Sequence, residues 1–185
     1  MAAGEALLPI EAPPLSAGAP LPHVFADEDK LLVAYIVNKT DPSFDGTNPR
    51  SVSPVTNGQS VAILTAKPCL ALQFGLPNDE ALSGHRLYKL GLQPYAAFEV
   101  LNSSWIGSLE HANRVHSSHR PGLFSGYRHF IFTFHDSTLE FVAESFSMNC
   151  RDGSVLTSFM AAISPSATAL PDKRIRLLDR LWRRD

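Results

Sequence analysis

Histidines and carboxylates recur at alternate positions in the stretch RHFIFTFHDSTLEFVAESF. These positions hold His129, Thr133 and His135 in the first half and Glu140 and Glu144 in the second. Because side chains alternate across a strand, each set occupies one face of a predicted strand. An imidazole beside a carboxylate can do acid–base chemistry where burial brings both pKa values toward neutrality. We therefore take His135 and Glu140 as candidate catalytic residues and the other three as candidate ligand-binding residues.

The crowding of histidines favours a metal site as a second use of this region. Five of the seven histidines fall within 25 residues. His116 and His119 have the short H-x-x-H spacing, and His135 follows as a third imidazole. Imidazoles with one or two carboxylates suit Zn or Fe(II), and three protein ligands leave one coordination position open. The H-E-x-x-H motif of zinc proteases is absent, so the cofactor is unassigned, with Zn and Fe as candidates.

The same side chains also fit a face that is open to solvent. Antiparallel sheets commonly expose one face, and cross-strand His–Glu pairs contribute only ~0.2–1 kcal/mol each. The chain has no G-x-G-x-x-G, P-loop or C-x-x-C motif, and GLFSG at Gly122–Gly126 has the wrong spacing for a nucleophile elbow. We therefore expect a soluble binding or accessory module of unknown ligand. The alternative is a small metal-dependent or acid–base enzyme that uses His129, His135, Glu140 and Glu144.

The opposite face of the predicted hairpin is aromatic. Phe130, Phe132 and Phe134 alternate with the polar positions, and Phe141 continues this face on the second strand. A four-residue loop at HDST and a two-residue loop at ST both keep the aromatic face intact. A slip of one residue would turn it toward solvent. The four phenylalanines are therefore predicted to lie in the core.

The elements around the hairpin follow from apolar periodicity and turn residues. A Ser cap and a period near 3.6 predict an amphipathic helix at Ser103–His116. A long loop is predicted at Asn38–Gln59 and a turn at Arg151–Gly153. The predicted strands outside the hairpin are Lys30–Val37, Val61–Ala66, Cys69–Gly75, Tyr95–Ser103 and Ser154–Ile163, with a bend at Pro68 between the second and the third.

These elements predict an α+β fold with a mainly antiparallel sheet, one central amphipathic helix and a C-terminal helix. The pattern leaves open whether the sheet is curled into a partial barrel or a sandwich. Residues 1–24 are rich in Pro and Ala and predict a flexible arm. Residues 25–163 are expected to form a single α+β domain. Residues 164–185 are expected to form a linker and a basic amphipathic helix that docks on its own domain or mediates self-association.

Composition limits the class of protein. The chain has 185 residues, of which 44% are hydrophobic and 18% charged, with a net charge of −2. No global positive field attracts nucleic acid, so we expect a small molecule or a protein as partner. The longest apolar runs, such as Leu31–Val37, are far shorter than the ~20 residues that cross a bilayer. With no secretory signal visible, and Cys69 and Cys150 predicted to be buried free thiols, a cytoplasmic location is expected.

Overall fold

The structure is a computed structural model that describes residues 4–39 and 51–164. Within these ranges the chain forms nine strands and two α-helices. In chain order they are β1 (Ala6–Pro9), β2 (His23–Ala26), β3 (Leu31–Ile36), β4 (Gln59–Ala66), β5 (Cys69–Gly75), β6 (Ala97–Leu101), α1 (Ser104–Asn113), β7 (Arg128–Thr133), β8 (Thr138–Ala143), β9 (Phe146–Gly153) and α2 (Val155–Ile163). Two short 3₁₀ turns, Leu82–Gly84 and Tyr88–Leu90, lie between β5 and β6.

The strands form two antiparallel sheets. One has five strands in the order β1-β6-β7-β8-β5, and the other has four in the order β2-β3-β4-β9. Helix α1 connects β6 to β7 in the middle of the chain, and α2 follows β9. The predicted α+β fold with a mainly antiparallel sheet, a central helix and a C-terminal helix is confirmed. The C-terminal helix of the structure is α2. The basic helix that was expected within residues 164–185 lies outside the described residues.

The main core lies between the two sheets, which pack face to face as in a sandwich. Strands β7 and β8 contribute Phe130, Phe132 and Phe141, and the facing strands contribute Tyr35 and Leu64. The three phenylalanines are at most 1% exposed. The ring centroids of Phe130 and Phe141 lie 5.2 Å apart, within the range of favourable aromatic pairs. The predicted aromatic core face is confirmed.

Two connections carry the chain from one sheet to the other at a shared corner. The pairing of β4 with β9 runs up to Ala66 and Phe146, and the pairing of β5 with β8 resumes at Cys69 and Ala143. Only two residues separate the paired positions on each side of the corner, as in sandwiches whose strands change sheet through a bend. The predicted bend at Pro68 is confirmed, since β4 and β5 meet there.

Strand β9 replaces the turn that was predicted at Arg151–Gly153. These three residues form the end of β9 and pair with the start of β4. The sequence FSMNCRDG has no β-branched residue, so its own propensity for strand is low. Pairing with β4 along eight residues makes it a strand, which is a tertiary effect.

Helix α2 occupies residues that were predicted as a strand, Ser154–Ile163, and this prediction is wrong. The Ser154 side chain accepts a hydrogen bond from the backbone N–H of Thr157 at 3.1 Å, which caps the helix. Val155 and Phe159, four residues apart, share one helix face and pack on the outer side of β3 and β4. A short apolar run fits a strand or a buried helix equally well, so periodicity could not separate the two.

The amino-terminal segment also differs from its prediction as a flexible arm over residues 1–24. Strand β1 pairs with β6, from Ala6 opposite Leu101 to Pro9 opposite Phe98. Leu15 is 6% exposed and belongs to the main core. Composition rules count Pro and Ala as signs of disorder, but the leucines and isoleucine between them bury enough surface to dock this segment. The domain boundary expected at residue 25 therefore has no counterpart, because the described part of the segment belongs to the same two sheets.

The outer face of the five-stranded sheet is covered by the segment between β5 and β6. Leu82, Leu87 and Leu92 from this segment pack on Phe98 and Ile131 of the sheet. This covering decides the environment of the predicted polar face, since His129 and Glu140 belong to the same side of the sheet as Ile131. At His129 and Glu140 that face is buried, not solvated.

Some predictions fall on residues outside the described ranges. The middle of the predicted loop at residues 38–59 is one such part, and almost all of the predicted linker and basic helix at residues 164–185 is another. Among the helices that the structure describes, none has the length and apolar character needed to cross a membrane.

Candidate functional site

The hairpin of β7 and β8 turns one position earlier than with the predicted four-residue loop and two positions earlier than with the predicted two-residue loop. Thr133 lies opposite Thr138, and the backbone N–H of Phe134 donates to the carbonyl of Ser137 at 2.8 Å. His135 and Asp136 therefore form the turn itself. The partner positions therefore shift by two residues from the first predicted register and by four from the second, and an even shift leaves both faces as predicted. It places Ile131, rather than Thr133 or His135, opposite Glu140.

Glu140 is the centre of a buried polar cluster. It is 6% exposed. Its Oε1 atom lies 3.2 Å from Nε2 of His85, and its Oε2 atom lies 3.0 Å from Nε2 of His129 and 3.2 Å from Nη2 of Arg86. We call these four residues together with Glu5 the Glu140 cluster. Two of the polar residues named from the sequence, His129 and Glu140, meet in this cluster, whereas His85 was not foreseen.

The Glu140 cluster joins three separate parts of the chain. Arg86 also donates from Nη1 to both carboxylate oxygens of Glu5, at 2.9 and 2.8 Å. Glu5 in turn accepts from the backbone N–H of Ser104 at 2.8 Å and from its hydroxyl at 2.9 Å. Glu5 is not part of α1, but its carboxylate lies beside the first turn of this helix, where the helix dipole stabilises a negative charge. The amino-terminal segment, the β5–β6 segment and α1 are thus tied to one hairpin strand.

His129 is fully buried and connects Glu140 to α1. Its Nδ1 atom lies 2.9 Å from the hydroxyl of Ser103, the N-cap of α1. That hydroxyl accepts from the backbone N–H of Ile106 at 3.2 Å, so its own proton is free to point to Nδ1. Nε2 has no hydrogen-bond partner among the described residues, although Glu140 is close. The contact with Glu140 is therefore electrostatic, because the carboxylate lies off the N–H direction.

The pKa of Glu140 is set by two opposing effects. Burial raises the pKa of this carboxyl, and the neighbouring His129 and His85 lower it to about 2. The carboxylate is therefore charged at neutral pH. A general acid or base works best when its pKa lies near the operating pH. The geometry thus favours Glu140 as a fixed negative charge over the acid–base role expected from the sequence.

His135, the other candidate catalytic residue, belongs to a second group at the hairpin turn. Its Nδ1 atom lies 2.9 Å from Oδ2 of Asp79, and the Tyr95 hydroxyl donates to the same oxygen. The hydrogen bond to Asp79 raises the pKa of His135 above its ordinary value and raises that of Tyr95 to about 12. The imidazole and the phenol both donate to one carboxylate, which fastens the β5–β6 segment to the turn.

The other two candidate ligand-binding residues are not part of the Glu140 cluster. The Thr133 hydroxyl donates to the carbonyl of Gln93 at 2.7 Å and accepts from the backbone N–H of Ala96 at 3.0 Å. This side chain is buried and holds the end of the β5–β6 segment. Glu144 is exposed and follows β8 at the corner between the sheets.

The three candidate metal ligands are not brought together. His116 and His119 follow α1, with His119 close to Glu110 at 4.0 Å, and His135 is at the hairpin turn. In the described parts of the chain, no three or more His, Cys, Asp or Glu side chains are arranged to hold a metal ion.

The Glu140 cluster does not have the donor set of a zinc or iron site either. The backbone N–H of Leu87 donates to Nδ1 of His85 at 3.2 Å, so the ring proton is on Nε2, the atom that faces Glu140. A metal-ligating imidazole has the opposite arrangement, with the ligating nitrogen bare and the other nitrogen donating.

A cavity of about 220 Å³ opens beside Glu140 at the free edge of β5. Glu140, His85 and Thr138 form its polar side, and Phe74 and Leu76 form its apolar side. A second cavity of about 400 Å³ lies between the amino-terminal segment and residues 90–98, next to Tyr95. The sequence pointed to neither, because each is lined by residues distant along the chain.

No family model matches this chain, and neither the curated proteins nor the solved structures include a match to it. Its functional assignment therefore depends on the geometry of its own residues. Three of them, His85, Arg86 and Ser103, complete the Glu140 cluster or its link to α1 and carry no sequence motif. His85 and Glu140 are 55 residues apart, so neither periodicity nor spacing could pair them.

Proposed function

We propose that the protein is a binding module that holds a small organic cation, with an ammonium or guanidinium group, in the cavity beside Glu140. The observation that carries this proposal is a buried, charged carboxylate facing an open cavity. Glu140 is 6% exposed, its pKa is held at about 2, and it lines the 220 Å³ cavity. A buried charge is stable only with partners of opposite charge or with hydrogen bonds.

The charge balance of the Glu140 cluster supports a cationic ligand. The carboxylates of Glu140 and Glu5 face a single guanidinium, that of Arg86. The second carboxylate charge is left to the imidazoles of His85 and His129 and to a ligand in the cavity. The hairpin turn near this end of β8 is acidic too, since Asp79 and Asp136 both raise the pKa of His135. A positive ligand is therefore attracted to this region and a negative one repelled.

The size and the walls of the cavity support a small ligand with an apolar part. Pockets for drug-sized ligands measure roughly 300–1,000 Å³, so 220 Å³ suits a group the size of one amino-acid side chain. Phe74 is 45% exposed and Leu76 is 86% exposed. An alkyl chain can cover these side chains, and the phenyl ring adds a cation–π contribution of about 0.5–1 kcal/mol at an exposed site.

The chemistry of the cysteines supports a cytoplasmic location for this module. Cys69 and Cys150 are both free thiols. Thiols stay reduced in the cytosol, whereas secreted proteins tend to pair them. We include this location in the proposal.

Isothermal titration of the full chain tests the proposed ligand class. The probes are n-butylammonium and n-propylguanidinium, with butyramide as the neutral and butyrate as the anionic comparison. Saturable binding is expected for the two cations only. Glu140→Gln should weaken it at least about tenfold, or 1.4 kcal/mol. Phe74→Ala should weaken it less, because only a surface contact is lost.

Glu144→Gln is the matched control, since it removes one charge from the same region of the chain at an exposed position. Its binding should equal that of the unmodified protein. Equal weakening in Glu140→Gln and Glu144→Gln would mean that the cations respond to net charge alone. That result, or no saturable binding of either cation, contradicts the proposal. Circular dichroism establishes that each variant is folded.

A further inference from the structure

We infer that Ser103, His129 and Glu140 form a nucleophile, a base and a positioning carboxylate, and that the protein hydrolyses small carboxylic esters at Ser103. This inference shares Glu140 with the cation proposal but concerns a different ligand position. The cavity lies on the His85 side of Glu140, and Ser103 lies beyond His129. The three side chains come from three elements: the start of α1, strand β7 and strand β8.

The distances form an unbroken chain from the hydroxyl to the carboxylate. The Ser103 hydroxyl lies 2.9 Å from Nδ1 of His129, and Nε2 of His129 lies 3.0 Å from Oε2 of Glu140. The first distance is within the range for a nucleophile and its base. The nearby carboxylate stabilises the cation that the base becomes when it takes the proton.

The backbone places Ser103 on a sharp connection from strand to helix. Strand β6 ends at Leu101, Asn102 has a φ of +52°, and α1 begins at Ser104. Asn adopts this left-handed conformation more readily than other residues with a side chain, and here it lets the chain turn sharply into α1. Serine nucleophiles of hydrolases sit on sharp strand-to-helix turns of this general kind.

Two features of the chain exceed what helix capping requires. Ser154, the N-cap of α2, accepts from Thr157 N–H and pairs with the Thr157 hydroxyl, without an imidazole partner. Ser103 caps α1 in the same way and contacts a fully buried histidine as well. The Nε2 atom of that histidine has no hydrogen-bond partner among the described residues. A buried polar atom left in this state calls for an explanation, and catalysis is one.

The reaction would proceed in two balanced steps. The Ser103 oxygen attacks the ester carbonyl carbon while its proton passes to Nδ1 of His129, and the resulting imidazolium is stabilised by Glu140. The bond from carbon to the leaving alkoxide then breaks, and the proton moves from His129 to that oxygen. Water attacks the acyl group on Ser103 with His129 again taking the proton, which releases the acid and restores the hydroxyl.

The start of α1 supplies a place for the negative oxygen of the intermediate. The backbone N–H of Ser104 now donates to the Glu5 carboxylate at 2.8 Å. An anionic oxygen is therefore already stabilised next to Ser103, as at helix N-termini in general. For the ester oxygen to accept from this N–H, the Glu5 carboxylate must first give up its hydrogen bond there.

Covalent labelling of the full chain tests this inference. The protein is treated with a fluorophosphonate probe, which phosphonylates activated serines, and the labelled peptide is located by mass spectrometry. Hydrolysis of p-nitrophenyl acetate is measured in parallel. The expected result is a single adduct on Ser103 and an esterase rate that falls about 10²–10⁴-fold in His129→Gln, the range for losing a general base.

Ser103→Asn separates the nucleophile from the helix cap, because Asn caps helices about as well as Ser but cannot be acylated. This variant should lose both the label and the esterase activity while its melting temperature stays close to that of the parent. Ser154→Asn is the matched control at the other N-cap and should keep both. The inference is overturned if folded protein shows no adduct on Ser103, or if folded Ser103→Asn retains the esterase rate. n-Butylammonium binding by Ser103→Asn should be unchanged, so the two proposals can fail separately.

Discussion

Glu140 is buried by the same side chains that keep it charged. Burial acts to raise its pKa, and the neighbouring His129 and His85 lower it to about 2. The balance depends on both partners, since removing one side of a buried ion pair leaves a charge without compensation. At the scale of the residue, Glu140 therefore acts as an anchor for three parts of the chain as well as a candidate ligand for cations.

The pH dependence of stability follows from this shift. The pKa of Glu140 is lower in the folded protein, about 2, than its ordinary value of 4.5. The stabilising contribution is therefore fully present above pH 4.5 and is lost as the pH falls from 4.5 toward 2. Its size is about 3 kcal/mol at 1.36 kcal/mol for each pKa unit. Urea unfolding at pH 5 and pH 3 should show about 2 kcal/mol of this loss, since the remainder is lost only below pH 3.

Glu140→Gln provides the comparison, because Gln cannot titrate. Its free energy of unfolding should fall less between pH 5 and pH 3 than that of the parent protein, and Glu144→Gln should behave like the parent. Parallel losses in the parent and in Glu140→Gln would show that other carboxylates dominate acid unfolding.

Strand β1 and the hairpin show how elements position the Glu140 cluster. Pairing of β1 with β6 holds Glu5, one residue before β1, against Arg86 and Ser104. The aromatic face of the hairpin then fixes which side chains of β7 and β8 point to the opposite side. The cluster is thus a consequence of one strand pairing and one packed face.

Deleting residues 1–10 should destabilise the protein. The deletion removes β1, its pairing with β6 and the salt bridge of Glu5 with Arg86. We expect a loss of at least about 2 kcal/mol, or a fall in melting temperature of about 4–8 °C for a chain of this length. Deleting residues 1–3 alone is the control. A thermal melt that is unchanged by the longer deletion would show that β1 contributes no stability.

Phe132→Ala should destabilise the protein by about 3–5 kcal/mol, as truncation of a fully buried aromatic ring does. Phe132 is 0% exposed and packs between the sheets. Phe74→Ala is the control on the free edge of β5 and should change stability by less than about 1 kcal/mol. Urea melts of both variants give the two numbers. Equal effects would mean that the face of the hairpin is less buried than described.

The two sheets are joined at one corner of the molecule, where two connections pass from one sheet to the other. Cys69 starts β5 at this corner and is buried, whereas Cys150 on β9 is exposed. The expectation that both thiols are buried is therefore wrong for Cys150. Since the corner belongs to both sheets, Cys69 becomes accessible only when the sheets separate.

Thiol reactivity reports this separation. Burial raises the pKa of Cys69 to about 11, and only the thiolate reacts rapidly. Titration with a chromogenic disulfide reagent should detect one thiol in the native protein and two in urea. Cys150→Ser should leave no thiol that reacts quickly in the native state. Rapid reaction of two thiols without urea would show that the corner opens locally.

Features that depend on neighbouring residues could be predicted from the sequence alone. Alternation placed Phe130, Phe132 and Phe141 on one face, and the Ser103 cap with its apolar period predicted α1. Strands β3, β4 and β5 and the bend between the last two were also predicted correctly. These features follow from local backbone geometry, in which periods of 2 and 3.6 are fixed by the chain itself.

What surrounds each face of a strand or helix depends on tertiary contacts. Glu140 meets His85 across 55 residues, and the covering β5–β6 segment makes that face buried. The amino-terminal segment became part of the five-stranded sheet by pairing with β6, and Val155 and Phe159 became helical by packing on the other sheet. Burial, ion pairs and strand partners depend on contacts between distant residues. A local sequence pattern does not show which distant residue will contact a given side chain.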